Sequence, residues 1–563
     1  MKIRFIGAVG TVTGSCTLLE HNKEFFLIDC GAGRDAVANA STPLDFKPHV
    51  LRSMFLTHAH LDHCGLIPAL IAKGFHGRIY CTRATRDLTL NALQDAVTLG
   101  NCEPRHVPKL EQFECPDEHP EFAWGKYIGA AEDLTVAFSR TSHILGAVSV
   151  SFQHKNLVTK EHTTICFSGD LGCNDEGNCF QSLLARRYQP DFYPSFLVLE
   201  STYGARNRPT ESSNYEARMN ALTEMLTRAL SLSASPLILI PCFTLHRTQE
   251  LMADFYCLLN THLTSDIKTD WASRLNQNES EEPLLDIAIE STLAWKHTNV
   301  YRNELTRILN TNKRKFLYLN GEFPKRAGVS EESIPSFLET LFAEPNGAMI
   351  RHGAIRIGKD TKYLSKRSIR IVIAGSGMCQ GGRILEHLKT GLADAGVLVV
   401  LTGFQAPDTL GGQLRLRVEN PSAPLELKEW LPANDVQATI TDLGSFYSGH
   451  ADQAGLVKYA LNKDQPRYYK PLRRIFLNHG EQSSREILKE ALLAYSVNQA
   501  DKSRELAAVE LPNPNAGWFD LSKNAWTDDV ELEVDGLEGV VLTLYRKVQR
   551  LESELVELKS KKG

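Results

Sequence analysis

Through the first two hundred residues, apolar and polar positions alternate in short runs broken by turn residues, the mark of half-buried strands. The runs Lys2–Ile6, Cys16–Leu19, Phe25–Ile28, Met54–Leu56, Thr135–Phe138, Ala147–Phe152, Thr164–Phe167 and Phe196–Leu199 are predicted strands. One segment, Thr85 to Leu99, repeats its apolar residues at helical spacing instead. Beyond Thr202 the texture changes. Helix Ser213–Leu232, strand Leu237–Ile240 and helix Thr244–Leu259 follow one another, as do strand Ile369–Ala374, helix Gly382–Leu392 and strand Val397–Leu401. Such alternation predicts a parallel, doubly wound sheet. The polar stretch Thr264–Glu282 reads as an insertion or a long loop. From Gln413 strands and helices mix again, up to a helix near Ser483–Ala494. At the end, Leu544, Val548, Leu551, Leu555 and Leu558 step by four and three residues within Val541–Lys561. That spacing predicts an amphipathic helix, either packed on the body or paired with a partner.

A chain of 563 residues exceeds one ordinary core, so two or three domains are expected. Its 42% hydrophobic and 23% charged content is that of a soluble globular protein. The start, MKIRFIGAVGTVTGS, enters a strand at once without the basic and apolar regions of a secretory signal. No apolar run approaches the ~20 residues of a membrane span. A cytoplasmic protein without membrane attachment is expected. The twelve cysteines form no CxxC pair, which argues against a disulfide framework and a zinc ribbon. The net charge of -5 does not suggest a polyanion ligand, although a local basic groove suffices for one. Arg351–Arg370, with seven Lys or Arg against Asp360, is a candidate groove or else a solvated loop.

Thr57-His58-Ala59-His60-Leu61-Asp62-His63 follows an apolar strand and is the strongest chemical signal. Imidazole and carboxylate suit zinc, and one loop can present four such donors. One loop cannot close a two-metal site, so further donors must come from elsewhere. His143 precedes a strand, Asp170 follows the run Thr164–Phe167, and His479 ends the run Ile475–Leu477. Each alone is also an ordinary turn residue; together with HxHxDH they read as ligands.

In this order, with Asp29 ahead of them, the residues resemble the motifs of the metallo-β-lactamase superfamily. The resemblance implies an αββα sandwich and two zinc ions per chain. It places His58, His60 and His143 on one ion, Asp62, His63 and His479 on the second, and Asp170 between them. Asp29 would orient a ligand histidine. After Leu199-Glu200-Ser201-Thr202 the pattern is interrupted by about 200 residues of α/β sequence. That insertion resembles the β-CASP nucleases, and the resemblance covers most of positions 1–495. The expected division is 1–205 and 413–495 for the sandwich, 206–412 for the inserted domain and 496–563 for a C-terminal extension.

Further motifs fit that family. Ala374-Gly375-Ser376-Gly377-Met378 with Gly381-Gly382-Arg383 is similar to its glycine-rich turn, where backbone amides favour phosphate. Gly403-Phe404-Gln405-Ala406 follows a strand as in relatives, and Ser448-Gly449-His450-Ala451-Asp452 resembles the second histidine motif. Glu290 stands where relatives often carry aspartate. The resemblance implies hydroxide attack on a phosphodiester assisted by two metals and Asp170, with His450 as general acid held by Glu200. Histidine at position 479, where DNA-directed members carry an apolar residue, points to single-stranded RNA, cut internally or from the 5′ end. Ser376, Gly377, Arg383, Arg206, Arg208 and Arg247 are the expected phosphate contacts. Two alternatives stay open: a hydrolase of small esters on the same metal site, and a catalytically silent RNA-binding subunit. A homodimer or a processing-complex partner would use the C-terminal region.

Overall fold

The alternating runs close into two sheets packed face to face. In this computed structural model the chain is described from residue 1 to residue 527, except for 34–41, 43, 157–160, 174–182, 189–193, 210, 212–213, 278–281, 309–315, 346–348, 424, 426–435, 462–471, 498–507 and 514–515. The expected helix Val541–Lys561 lies outside the described residues.

The first sheet has eight strands in the order Ala525–Thr527, Trp518–Asp520, Lys2–Gly7, Cys16–His21, Glu24–Ile28, Leu51–Phe55, Arg78–Tyr80 and Phe113–Glu114. The second has seven, in the order Val509–Glu510, Arg474–Asn478, Phe196–Glu200, His162–Phe167, Val148–Lys155, Leu134–Arg140 and Ile128–Ala131. Alternate residues of facing strands meet between them, as period-two patterning requires. Phe152 packs edge-on against Phe55 with centroids 4.8 Å apart and also touches Phe26 and Phe167. Helix Ile67–Ala72 covers the outer face of the first sheet, where Ile67 and Leu70 join Leu27, Met54 and Leu56. Helices Gln453–Leu461 and Gln482–Val497 cover the second through Leu456, Leu488 and Leu492. The result is the αββα sandwich. All eleven described cysteines are free and buried.

A third sheet follows Glu200. Its order is Ile350–His352, Ile355–Gly358, Leu285–Glu290, Ile369–Ala374, Leu237–Pro241, Val397–Leu401 and Thr439–Asp442, parallel except at the first pair. Helices lie on both faces: Ile384–Gly391 packs on one, Tyr215–Leu232 and Arg247–Cys257 on the other. Helix Thr292–Leu305 of this domain meets helix Arg83–Thr98 of the sandwich, where Arg83 Nε donates to Glu304 Oε1 at 2.6 Å.

Three features depart from the sequence reading. The polar stretch after Thr264 contains helix Ser265–Arg274, capped by the Thr264 hydroxyl on the Ile267 amide and anchored by buried Trp271. The third sheet takes its last strand from Thr439–Asp442, past the expected return at 413, because that segment pairs with Val397–Leu401. Residues 509–527 of the C-terminal extension add strands to both sheets of the sandwich. Among the described residues, no helix is long and apolar enough to cross a membrane.

Candidate active site

Five strands deliver their following residues to one rim. Asp29 succeeds Glu24–Ile28, the Thr57–His63 loop succeeds Leu51–Phe55, Asp170 succeeds His162–Phe167, Glu200 ends Phe196–Glu200, and His479 succeeds Arg474–Asn478. The neighbouring strands run parallel, so their C-terminal ends coincide. Asp29 (φ 57°) and His479 (φ 50°) both take the left-handed backbone, a sparsely populated conformation that recurs where a site over-determines geometry.

The donor atoms converge in two sets. His60 Nδ1 lies 3.1 Å from both His58 Nε2 and His143 Nε2, and Asp170 Oδ2 is 3.5 Å from each of those Nε2 atoms. In the second set, His63 Nε2 is 3.2 Å from His479 Nε2. Asp62 Oδ2 and Asp170 Oδ1 each stand 3.4 Å from one of those nitrogens. Four donors at about 2.0–2.1 Å from one zinc are about 3.3 Å apart at tetrahedral corners. Both sets have that spacing. Asp170 Oδ1 is buried without a hydrogen-bond partner, an atom a cation would satisfy.

Neighbouring groups turn the ring lone pairs inward. His63 Nδ1 donates to Asp29 Oδ2 (2.6 Å) and His143 Nδ1 to the Gly449 carbonyl (2.7 Å). His58 Nδ1 meets the Thr57 hydroxyl at 3.1 Å, which in turn donates to Asp29 Oδ2 at 2.9 Å. Thr202 Oγ1 stands 3.2 Å from His479 Nδ1. With Nδ1 occupied, each Nε2 is left as an acceptor facing the site. Thr57, Thr202 and the Gly449 carbonyl were not singled out from sequence. The only signal was their adjacency to the histidine motifs.

Electrostatics sort the same residues. Burial holds His58 and His143 well below the ordinary imidazole range and brings His60 to about 4. Burial opposes charge on His63 and His479 as well, but Asp170 outweighs it for both, aided by Asp29 and Asp62 respectively, and both are raised. Despite burial, the surrounding histidines keep Asp62 and Asp170 below the usual carboxylate range. His58, His60 and His143 are thus held neutral and both carboxylates ionised, while the protons favoured on His63 and His479 stand where a cation would compensate the same carboxylates.

His450 stands beside it. Its Nδ1 is 3.1 Å from Glu200 Oε2 and 3.9 Å from Asp170 Oδ2, and its ring stacks obliquely on His143. Burial lowers its pKa, but Glu200 and then Asp170 overcome that and raise it to about 9.

The expected phosphate contacts divide. Arg206 is exposed above the Tyr203 ring, which meets His450 edge-on. Arg208 points inward and binds Ser448 Oγ and the His450 carbonyl. Arg247 departs from expectation. It is buried, paired with Glu250, and donates to the Tyr447 carbonyl, so no guanidinium face is left for a phosphate. Tyr447 lies between Arg218 and Arg247, 4.5 and 4.9 Å from its ring centre.

Ser376, Gly377 and Arg383 form a separate cluster in the inserted domain. Gln405 Nε2 donates to the Gly377 carbonyl at 2.9 Å, and a Cβ on Gly377 would strike the Phe243 ring at 2.8 Å. Ser376 Oγ is buried without a partner among the described residues, and exposed Arg383 lies 3.6 Å from Glu290. Glu290 also binds His387 at 2.8 Å.

The basic run 351–370 does not form one groove. Arg356 forks onto Asp286 at 2.7 and 2.6 Å, Lys359 pairs with Glu344 and Lys362 with Asp360. Lys366 and Arg367 are exposed at the opposite end of the strands.

A sandwich rim of five histidines and two aspartates, interrupted by a doubly wound domain, defines the metal-dependent hydrolases of the metallo-β-lactamase superfamily, and residues 9–177 match that superfamily. Residues 263–414 match the Beta-Casp domain. The chain is 31% identical over 489 residues to Ribonuclease TTHA0252 of Thermus thermophilus, spanning 86% of this chain and 94% of that one. It is 24% identical to the transcription termination factor FttA of Methanosarcina mazei (86% and 67%) and 25% identical to an RNase J-like protein of Methanocaldococcus jannaschii (85% and 92%). The chain belongs to the β-CASP family.

Proposed function

We propose that this protein is a zinc-dependent ribonuclease that hydrolyses phosphodiester bonds in single-stranded RNA in the cytoplasm. The observation that carries the reading is His450. A site for small esters needs only the metal rim, whereas here a sixth imidazole, outside the two donor sets, is held beside Asp170 by a buried carboxylate. The name ribonuclease borne by the Thermus relative agrees with it. A silent binding subunit would not need the full donor set together with this proton carrier.

His58, His60 and His143 would hold one ion and Asp62, His63 and His479 the second, with Asp170 shared. When bound, two such ions supply Lewis acidity toward a phosphate oxygen and ionise water. The remaining work belongs to side chains. Asp29 and Thr57 fix the tautomers of His63 and His58. Asp170 orients the attacking oxygen. Glu200 accepts a hydrogen bond from His450 Nδ1–H and so favours the protonated ring, leaving the Nε2 proton for the departing oxygen. Arg206, Arg383, Ser376 and Gly377 would receive phosphates of the strand.

The test is cleavage of labelled single-stranded RNA, and of DNA of the same sequence, by wild type, Asp170→Ala and His450→Ala. RNA cleavage lost in both variants is expected, and the product ladder separates internal from 5′-end cutting. Intact RNA from a protein carrying two zinc ions overturns the proposal.

A further inference from the structure

At the rim opposite the histidine cluster the layer between the sheets does not finish in apolar side chains. Along Val148–Lys155 the inward positions run Val150, Phe152, His154; along Cys16–His21 they run Leu19, His21. Asp133 lies between the two imidazoles, in the turn before strand Leu134–Arg140. Its Oδ1 is 2.5 Å from His21 Nε2, and its Oδ2 is 3.3 Å from His154 Nδ1. The ring centroids are 4.8 Å apart. His21 is buried, while the Asp133 and His154 side chains are 16% and 23% exposed, so the cluster is open on one side.

We infer that His21, Asp133 and His154 form a further metal site, for a divalent transition ion of the zinc class. Two imidazoles, one carboxylate and an open fourth position make a donor set that zinc accepts. The three donor atoms lie within 4.8 Å of one another, and the Asp133–His154 spacing of 3.3 Å falls within the range found at the opposite rim. The closer Asp133–His21 pair opens by rotation of the Asp133 side chain, which sits in a turn and is otherwise held by Asn22 Nδ2 at 3.3 Å from each oxygen. Burial works against ionisation of Asp133, but the hydrogen bond with His21 and the two histidines prevail and lower its pKa, so the carboxylate is available as a ligand.

The ligands come from both sheets. His21 precedes the Asn22-Lys23 turn, whose two residues have φ 51° and 65°, in the first sheet. Asp133 and His154 belong to the second, where Leu134 pairs with His154. An ion held there ties the floor of the sandwich without touching the catalytic rim. Its role is structural.

The experiment strips the full-length protein with chelator, reloads it with Zn²⁺, removes free metal and counts zinc per chain in wild type, His154→Gln and Asp133→Asn. Both variants are expected to hold one equivalent fewer, and zinc should raise the melting temperature of wild type more than theirs. Co²⁺ loading gives the same difference as a lost component of the visible absorption. Equal metal content and equal shifts in all three proteins overturn the site. Two partly exposed positions are substituted, so misfolding of one variant leaves the other decisive. Only the difference between proteins is read, so the result does not depend on the nuclease proposal.

Discussion

Glu200 grips two elements of the site at once: one carboxylate oxygen lies 3.1 Å from His450 Nδ1, and the other accepts the Leu171 amide, next to Asp170, at 2.5 Å. The side chain is buried, so its charge acts at close range on the imidazole.

Glu200→Gln keeps the shape and removes that charge. A raised imidazole pKa keeps the acid form present up to higher pH, and without the charge the pKa falls. The alkaline limb of kcat against pH is therefore expected to move to lower pH, with the acid limb unmoved. His450→Ala should lower kcat by about 10²–10⁴, the usual contribution of a general acid, and lose the alkaline limb altogether. A Glu200→Gln profile that overlays wild type would remove Glu200 from this role.

Arg247 and Arg206 separate positioning from contact. Arg247→Ala leaves buried Glu250 short of a partner and frees the Tyr447 carbonyl, at a cost of about 3 kcal/mol in denaturant unfolding. Its kinetic effect should fall on kcat rather than KM, because the loop it holds carries His450. Arg206→Ala should do the reverse: unchanged stability, raised KM and a shallower salt dependence of RNA binding.

His297 supplies an acid sensitivity from outside the metal donor set, though close enough to His60 to feel its charge. It is buried in helix Thr292–Leu305, and burial lowers its pKa to about 4 from an unfolded value of about 6.5. As pH falls through that window the unfolded chain takes the proton first, so stability declines from pH 6.5 and levels off near 4. The full effect is on the order of 3 kcal/mol. His297→Leu should make this part of the unfolding curve shallower, the slope that remains belonging to His58, His60 and His143, which burial also keeps neutral. An unchanged slope would place the acid sensitivity elsewhere.

Chelation should lower the melting temperature as well as stop turnover, since metal and fold share Asp170 and five histidines. Zinc at a hundred times its Kd stabilises by about 2.7 kcal/mol per site. Asp170→Asn should lose most of that shift while folding normally without metal.

Much of this architecture was legible because it rests on local pattern. Period-two runs marked the strands, and HxHxDH behind a strand marked the rim. Burial was not legible. Arg247 and Arg206 look alike in sequence, and only packing against Tyr447 and Glu250 shows that one faces inward. Helix Ser265–Arg274 was hidden by its polarity: one buried Trp271 and a Thr264 cap outweigh a charged surface face. Strands of two or three residues, such as Val509–Glu510 and Trp518–Asp520, are too short for periodicity to register.

The partners His63 and His479 stand 416 residues apart along the chain, and the first sheet needs Trp518–Asp520 beside Lys2–Gly7 to complete its edge. A nascent chain therefore shows the ribosome its HxHxDH loop long before it can close the second donor set. The metal rim is thus a product of the closed sandwich and not of its loudest motif: the second donor set exists only once the chain through His479 has been laid beside Phe196–Glu200.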